Sequence, residues 1–332
     1  MNAHSANICD NLTSLQLVNL KLPFIPEYVL GMLNLETLNL SSNEITSIPP
    51  SLVKLRNLIE LDFSHNPLQE ISTAFMDYIT EALPKFTTFI LNESNILSFS
   101  LGSLKNFLLD RSIIEDRNEF LGGNLLNIFE CKESKLPKVP KFIQNFINLT
   151  KIDLGFNNLT SIQPMMVLTK LREMILENNK LVTLPHQISA LENLTKVNLA
   201  NNELESLPIS FSKLSKITYL RLEHNNLGKS LDTTIHSIPV HLKFLSIARN
   251  SIKKLPLQIG KFSEMEILDF SHNSISQIPI SILELKEIRK LFLNNNMITA
   301  LPANIGLLGK LREIDLSSNK LSVLPHSLGY LS

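Results

Sequence analysis

Eight histidines, at positions 4, 65, 186, 224, 236, 241, 272 and 326, are the residues most able to do chemistry in this chain. None belongs to an HExxH motif, which would set two imidazoles one helical turn apart around a metal. The two cysteines, Cys9 and Cys131, lack any metal-type spacing. No GxxxxGK[ST] phosphate loop and no GxSxG nucleophile elbow occurs. Asp62, Asp153, Asp269 and Asp315 recur in matching contexts, but at separations that suit a solvated face better than a pair of catalytic carboxylates. His65 and His272 sit in the matching segments LDFSHNPL and LDFSHNSI, and His224 holds the same place. A repeated, solvent-facing polar position accounts for them. The sequence predicts no enzyme, no metal site and no cofactor.

The residue after each of those three histidines is more informative. An asparagine recurs at 43, 66, 157, 179, 202, 225, 250, 273, 296 and 319, each time inside the frame LxxLxLxxNxL. The frame begins at Leu12, Leu35, Leu58, Phe86, Leu104, Leu126, Leu149, Leu171, Leu194, Ile217, Leu242, Met265, Ile288 and Leu311. Most intervals are 23 residues, with departures at 28, 18, 22 and 25. A fixed period of this size predicts one elongated stack of coils, in which no coil buries its apolar face alone. The alternation around Met174–Leu176 predicts a short, half-buried strand in each coil. The asparagine then turns the chain inward. Its side chain can accept from and donate to backbone groups of its own and adjacent coils. Asn43, Asn66, Asn157, Asn179, Asn202, Asn225, Asn250, Asn273, Asn296 and Asn319 should therefore form a ladder of satisfied amides. A Leu-Pro or Ile-Pro step comes next, as at Leu184-Pro185, and fixes φ where the chain leaves the strand. The segment after it is long enough for only a turn or two of helix.

Composition narrows the setting. The chain has 332 residues, 44% apolar, with 31 basic and 31 acidic side chains. That balance supplies no electrostatic argument for nucleic acid or an anionic membrane. No apolar run approaches the roughly 18 residues of a transmembrane helix, and the first residues lack the plan of a secretory signal. Two widely spaced cysteines predict a reduced, cytoplasmic location, with any membrane recruitment made through a partner. The N-x-S/T triplets at Asn11, Asn39, Asn148, Asn158 and Asn193 are largely copies of the repeat, so glycosylation is not expected.

The frame and its Pro step resemble the 23-residue "LPxxI" class of leucine-rich repeat proteins over nearly the whole chain. The likeness is greatest to intracellular members: Ras-pathway scaffolds, the repeat segment of adenylyl cyclases, and arrays attached to phosphatase, kinase or GTPase domains. The resemblance implies an α/β, right-handed superhelical solenoid of about 14 repeats. Parallel strands would line its concave face, with short helical, 3-10 or extended segments on the convex face. It also implies a protein partner, a small GTPase or a phosphatase subunit among the types.

The expected domain is a single solenoid over 1–332, regular at 12–71, degenerate at 72–148 and regular at 149–332. In the degenerate stretch Ser94, Ser112 and Ser134 replace the asparagine, and the Pro step is missing until Val139-Pro140. Serine makes fewer hydrogen bonds, so the ladder should weaken there. An insertion at 72–85 and the segment EDRNEFLGG at 115–123, with Gly122-Gly123 as a turn, lengthen or break coils. Drift and a specialised hinge are both consistent with this stretch. The long coil before Leu242 predicts a bulge. No polar cap follows Leu331, so the chain is expected to be a fragment of a longer one.

Function should reside on the strand face, at frame positions three, five, seven and eight. Apolar residues there are not needed for the fold, and interface energy concentrates in buried aromatic and arginine anchors. Phe156, Ile175, Tyr219, Phe244, Ile267 and Phe292 are the apolar candidates. Phe244, Ile267 and Phe292 are expected to form one continuous patch, rimmed with positive charge by Arg221, Arg249 and Lys290. Glu130, Glu133, Asp153, Glu173 and Glu177 should form an acidic strip, interrupted by Lys132 and Lys151. The sequence thus predicts a non-enzymatic scaffold or regulatory module in intracellular signalling. A recognition arm of a larger enzyme and an extracellular receptor domain are the alternatives.

Overall fold

Each frame brings apolar side chains to its first, fourth and sixth positions, and three residues around the fourth form a minimal strand. In the computed structural model, residues 11–68, 78, 82–92, 98–100, 104–108, 112, 119–121 and 125–330 are described. The expected insertion at 72–85, the break at 115–123 and Ser94 lie largely outside them. The chain divides into two compact units, Met1–Asn157 and Asn158–Ser332.

In the first unit, strands β1 (Ser14–Gln16), β2 (Thr37–Asn39), β3 (Glu60–Asp62), β4 (Thr88–Ile90), β6 (Asn106–Leu108), β8 (Ile128–Glu130) and β9 (Lys151–Asp153) lie side by side, all parallel. Two further strands, β5 (Ser98–Ser100) and β7 (Glu119–Leu121), pair in parallel as a separate sheet. They fall where the sequence lacks the Pro step. Without a proline to start a turn, the return segment runs extended and pairs with its neighbour.

The second unit is more regular. Strands β10 (Glu173–Ile175), β11 (Lys196–Asn198), β12 (Tyr219–Arg221), β13 (Phe244–Ser246), β14 (Ile267–Asp269), β15 (Lys290–Phe292) and β16 (Glu313–Asp315) form consecutive parallel pairs. Five-residue 3-10 helices follow Pro185, Pro208, Pro256 and Pro279, each proline extended at ψ between 146° and 152°. The long coil before Leu242 does not form the bulge that its length suggests. Its extra residues close an α-helix, α1 (Leu231–Ser237), which buries Leu231, Thr234 and Ile235.

The ladder asparagines make one repeated set of bonds. The amide of Asn202 donates to Leu176 O at 2.9 Å and Leu199 O at 3.1 Å, while its Oδ1 accepts from Leu181 N at 3.0 Å. Asn66, Asn225 and Asn296 repeat that arrangement, each tying its own coil to the preceding one. Asn43, Asn157, Asn250, Asn273 and Asn319 do the same. Asn179 donates to Leu176 O and accepts from Leu159 N. At the serine positions the reach is shorter. Ser112 Oγ donates to Leu91 O at 3.1 Å, and Ser134 Oγ accepts from Ser112 N at 3.0 Å.

The residue before the ladder position is left-handed. Twelve described residues there, from Asn19 to Ser318, have φ between 52° and 58°. Asparagine and histidine are among the side chains most often found in that backbone region. His65, His224 and His272 hold this corner, which explains their recurrence without any catalysis.

Candidate functional site

Two columns of alternating strand residues face outward in the second unit. Register sets the first as Glu173, Lys196, Tyr219, Phe244, Ile267, Lys290 and Glu313. The second runs Ile175, Asn198, Arg221, Ser246, Asp269, Phe292 and Asp315.

Tyr219 and Phe244 are stacked, with ring centroids 4.2 Å apart and planes within 10° of parallel. Both rings are half-buried, and Ile267 continues the row on the next strand. Lys196 Nζ lies 5.6 Å from the Tyr219 ring centroid, a cation–π contact at the end of the row. Burial and the nearby Glu223 and Glu177 push the Tyr219 hydroxyl above its ordinary value despite Arg221, so it stays protonated. The expected trio of Phe244, Ile267 and Phe292 is thereby corrected. Phe292 lies at the fifth frame position, in register with Asp269, so the continuous apolar row is Tyr219–Phe244–Ile267.

Two of the three charges of the expected positive rim are paired with carboxylates. Arg221 bonds Glu223 through its guanidinium and lies 3.9 Å from Glu177. Lys290 Nζ pairs with Glu313 at 2.6 Å. Arg249 belongs to the left-handed corner, where its Nη2 lies 3.4 Å from His272 Nε2. Burial, and then Arg249, hold the neighbouring His224 imidazole below the usual histidine value.

The acidic strip loses its free charge for the same reason. Glu130 is buried, which raises its pKa, but Lys151 at 2.5 Å and Lys132 at 3.2 Å outweigh burial and leave it below the ordinary carboxylate value. Asp153 is buried and accepts the Gly155 N–H at 3.0 Å. Asp62, Asp269 and Asp315 accept the N–H two residues on in the same way, so this column terminates strands. Glu173 lies 3.9 Å from Lys196, and Glu177 accepts a 2.8 Å bond from Asn198. Glu133 and Phe156 occupy left-handed corners, with Phe156 48% exposed. Half-buried Ile175 faces out beside Asn198.

Two features lie beyond the candidates named from the sequence. Lys196 and Glu313 complete the aromatic column, and aligning every third frame position would find them. Ile209, Leu257 and Ile280, each directly after the Pro step, are 64%, 67% and 71% exposed. Leu257 helps line a surface groove of about 580 Å³ with Asp232, His236, Lys254 and Gln277. Among the described residues, no three His, Cys, Asp or Glu side chains could hold a metal, and no helix is long and apolar enough to cross a membrane.

Stacked coils, a ladder of amides and an open strand face define a solenoid of the kind that binds along an extended surface. The chain is a leucine-rich repeat protein: family models described as "Leucine-rich repeat region", "Leucine rich repeat" and "Leucine Rich repeats (2 copies)" match residues 233–332, 169–227 and 33–75. Its fold is similar to a leucine-rich repeat protein of Leptospira interrogans, with TM-score 0.73 and 24% identity over 100% of this chain and 90% of that one. An internalin of Listeria monocytogenes matches with TM-score 0.61 and 23% identity, covering 98% and 86% of the two chains. The leucine-rich repeat ectodomain of the Arabidopsis thaliana receptor kinase GASSHO1/SCHENGEN3 matches with TM-score 0.60 and 22% identity, over 100% of this chain and 44% of that one. No match is found among curated proteins.

Proposed function

We propose that this protein is a non-enzymatic interaction module that holds a partner protein against the strand face of its second unit. The observation that carries the reading is the stacked Tyr219–Phe244 pair, in register with Ile267 on a face the core does not require. Half-buried aromatic rings on a rigid sheet are preorganised anchors, which lose little conformational freedom when covered.

Scaffolding or regulation in intracellular signalling fits this arrangement. Cys131 is buried with its thiol 3.2 Å from Ser134 Oγ, and the Asn193 amide donates to Thr169 O at 2.9 Å and accepts from Lys216 at 2.6 Å. A small GTPase or phosphatase subunit, the partner types implied by the resemblance, are the first candidates. Service as the recognition arm of a larger enzyme would use the same surface.

The test is quantitative affinity purification from native cells with wild-type protein and a Tyr219→Ala/Phe244→Ala variant. Loss of two anchors should weaken capture by more than about 2 kcal/mol, roughly thirty-fold. Equal recovery by both proteins, with the variant still folded, overturns the reading. Cell fractionation checks the location.

A further inference from the structure

The Tyr219–Phe244–Ile267 row is one residue wide and fenced on both long sides. Along one side Glu266 lies between Lys243 at 3.6 Å and Arg289 at 3.7 Å. Along the other, Arg221 is held by Glu223, and Ser246 Oγ donates to Asp269 at 3.2 Å. Those groups are charged or hydrogen-bonded where they stand, so a broad apolar surface laid across them would desolvate their charges. A narrow strip would not.

The two short ends differ from the sides. Register places Lys196 one strand before Tyr219 and Lys290 one strand after Ile267. Four strand spacings separate the lysines, about 19 Å. Beyond them stand Glu173 and Glu313, so the column reads acid, base, three apolar residues, base, acid. Each lysine pairs with its outer glutamate at an exposed site. Such exposed pairs are weak, so an incoming carboxylate can replace or share them at little cost.

We infer that the partner contributes an extended segment running across the strands, with an apolar centre and a carboxylate on each flank about 19 Å apart. This rests on the proposed interaction face and adds the chemistry of the segment that occupies it. Extended chain covers about 3.3 Å per residue, so the two acids lie about six residues apart. The apolar centre covers the stacked rings, and the carboxylates meet Lys196 and Lys290.

The probes are acetylated, amidated peptides EETLFLTEE and KKTLFLTKK, measured by fluorescence anisotropy against the full chain. The acidic peptide should bind at least about ten-fold more tightly at low salt, an advantage that shrinks as salt rises. Lys196→Glu with Lys290→Glu should reverse the order, and Lys196→Gln with Lys290→Gln should reduce the preference without adding repulsion. Equal binding of the two peptides, preference for the basic one, or no binding up to about 1 mM overturns the inference. Native capture separates the two ideas. Capture lost in Tyr219→Ala/Phe244→Ala but unchanged in Lys196→Glu/Lys290→Glu overturns this inference and leaves the interaction reading standing. Capture indifferent to both pairs overturns both.

Discussion

The two units differ in where their aromatic rings meet one another. In the first unit Phe63, Phe86, Phe89, Phe107, Phe129 and Phe146 are fully buried. Phe129 lies 5.7 Å from Phe146, 6.0 Å from Phe107 and 6.2 Å from Phe142, and Phe86 lies 5.8 Å from Phe89. Apart from Phe63, these rings fill coils whose ladder position holds serine. In the second unit the ladder is all asparagine, strand centres are aliphatic, and the stacked pair faces outward. The difference teaches that a coil stack can be held by regular amide bonding or by larger apolar volume. Where the ladder is all asparagine, Phe211, Phe262 and Phe270 still fill the core, and the stacked pair is placed on the strand face.

The largest effect should come from removing the first unit's substitute. Phe129→Ala empties the centre of its ring cluster and should cost about 3–5 kcal/mol, read as lost hydrogen-exchange protection in strands β6, β8 and β9. Protection unchanged there would break the idea that rings stand in for the ladder. Next is the ladder itself. Asn202→Ala leaves Leu181 N without its side-chain acceptor and removes one of the two amide donors at Leu176 O and at Leu199 O, and should cost about 1–3 kcal/mol by denaturant melts. Ser134→Ala, which removes a single hydroxyl, should cost less. A serine cost equal to the asparagine cost would erase the distinction between the units.

A smaller effect is expected from the surface stack. A double-mutant cycle on Tyr219→Ala and Phe244→Ala should give a stability coupling of about 0.5–1.5 kcal/mol. Coupling near zero would mean that the rings merely adjoin. The smallest effect concerns pH. The folded Glu130 carboxyl titrates below its ordinary value of 4.5, so it favours the folded state above that value, and the contribution is lost as pH falls further. Glu130→Gln should flatten the acid limb of the first unit's stability profile without steepening it.

Much of this architecture is readable from the frame. LxxLxLxxN sets strand, turn and amide, and each of its fourteen starts precedes a parallel three-residue strand. The Pro step marks where 3-10 helices begin after Pro185, Pro208, Pro256 and Pro279. The candidate site is less legible. Residue type alone groups Phe292 with Phe244, although Phe292 stands two residues further along its strand. The charges of Arg221, Lys290 and Glu130 look free in the sequence because their partners lie on other strands or at another frame position.

The sequence by itself determined the repeat, its strand positions and the identity of the ladder, because each depends on contacts dictated by position within one coil. Only the tertiary structure decided which side chains stand beside one another across coils. It stacked Tyr219 on Phe244, closed α1 in the long coil, and paired Arg221 and Lys290 with carboxylates. The physical reason is that neighbouring strands bring residues about 23 positions apart to within about 5 Å, where a shift of two along one strand changes every partner.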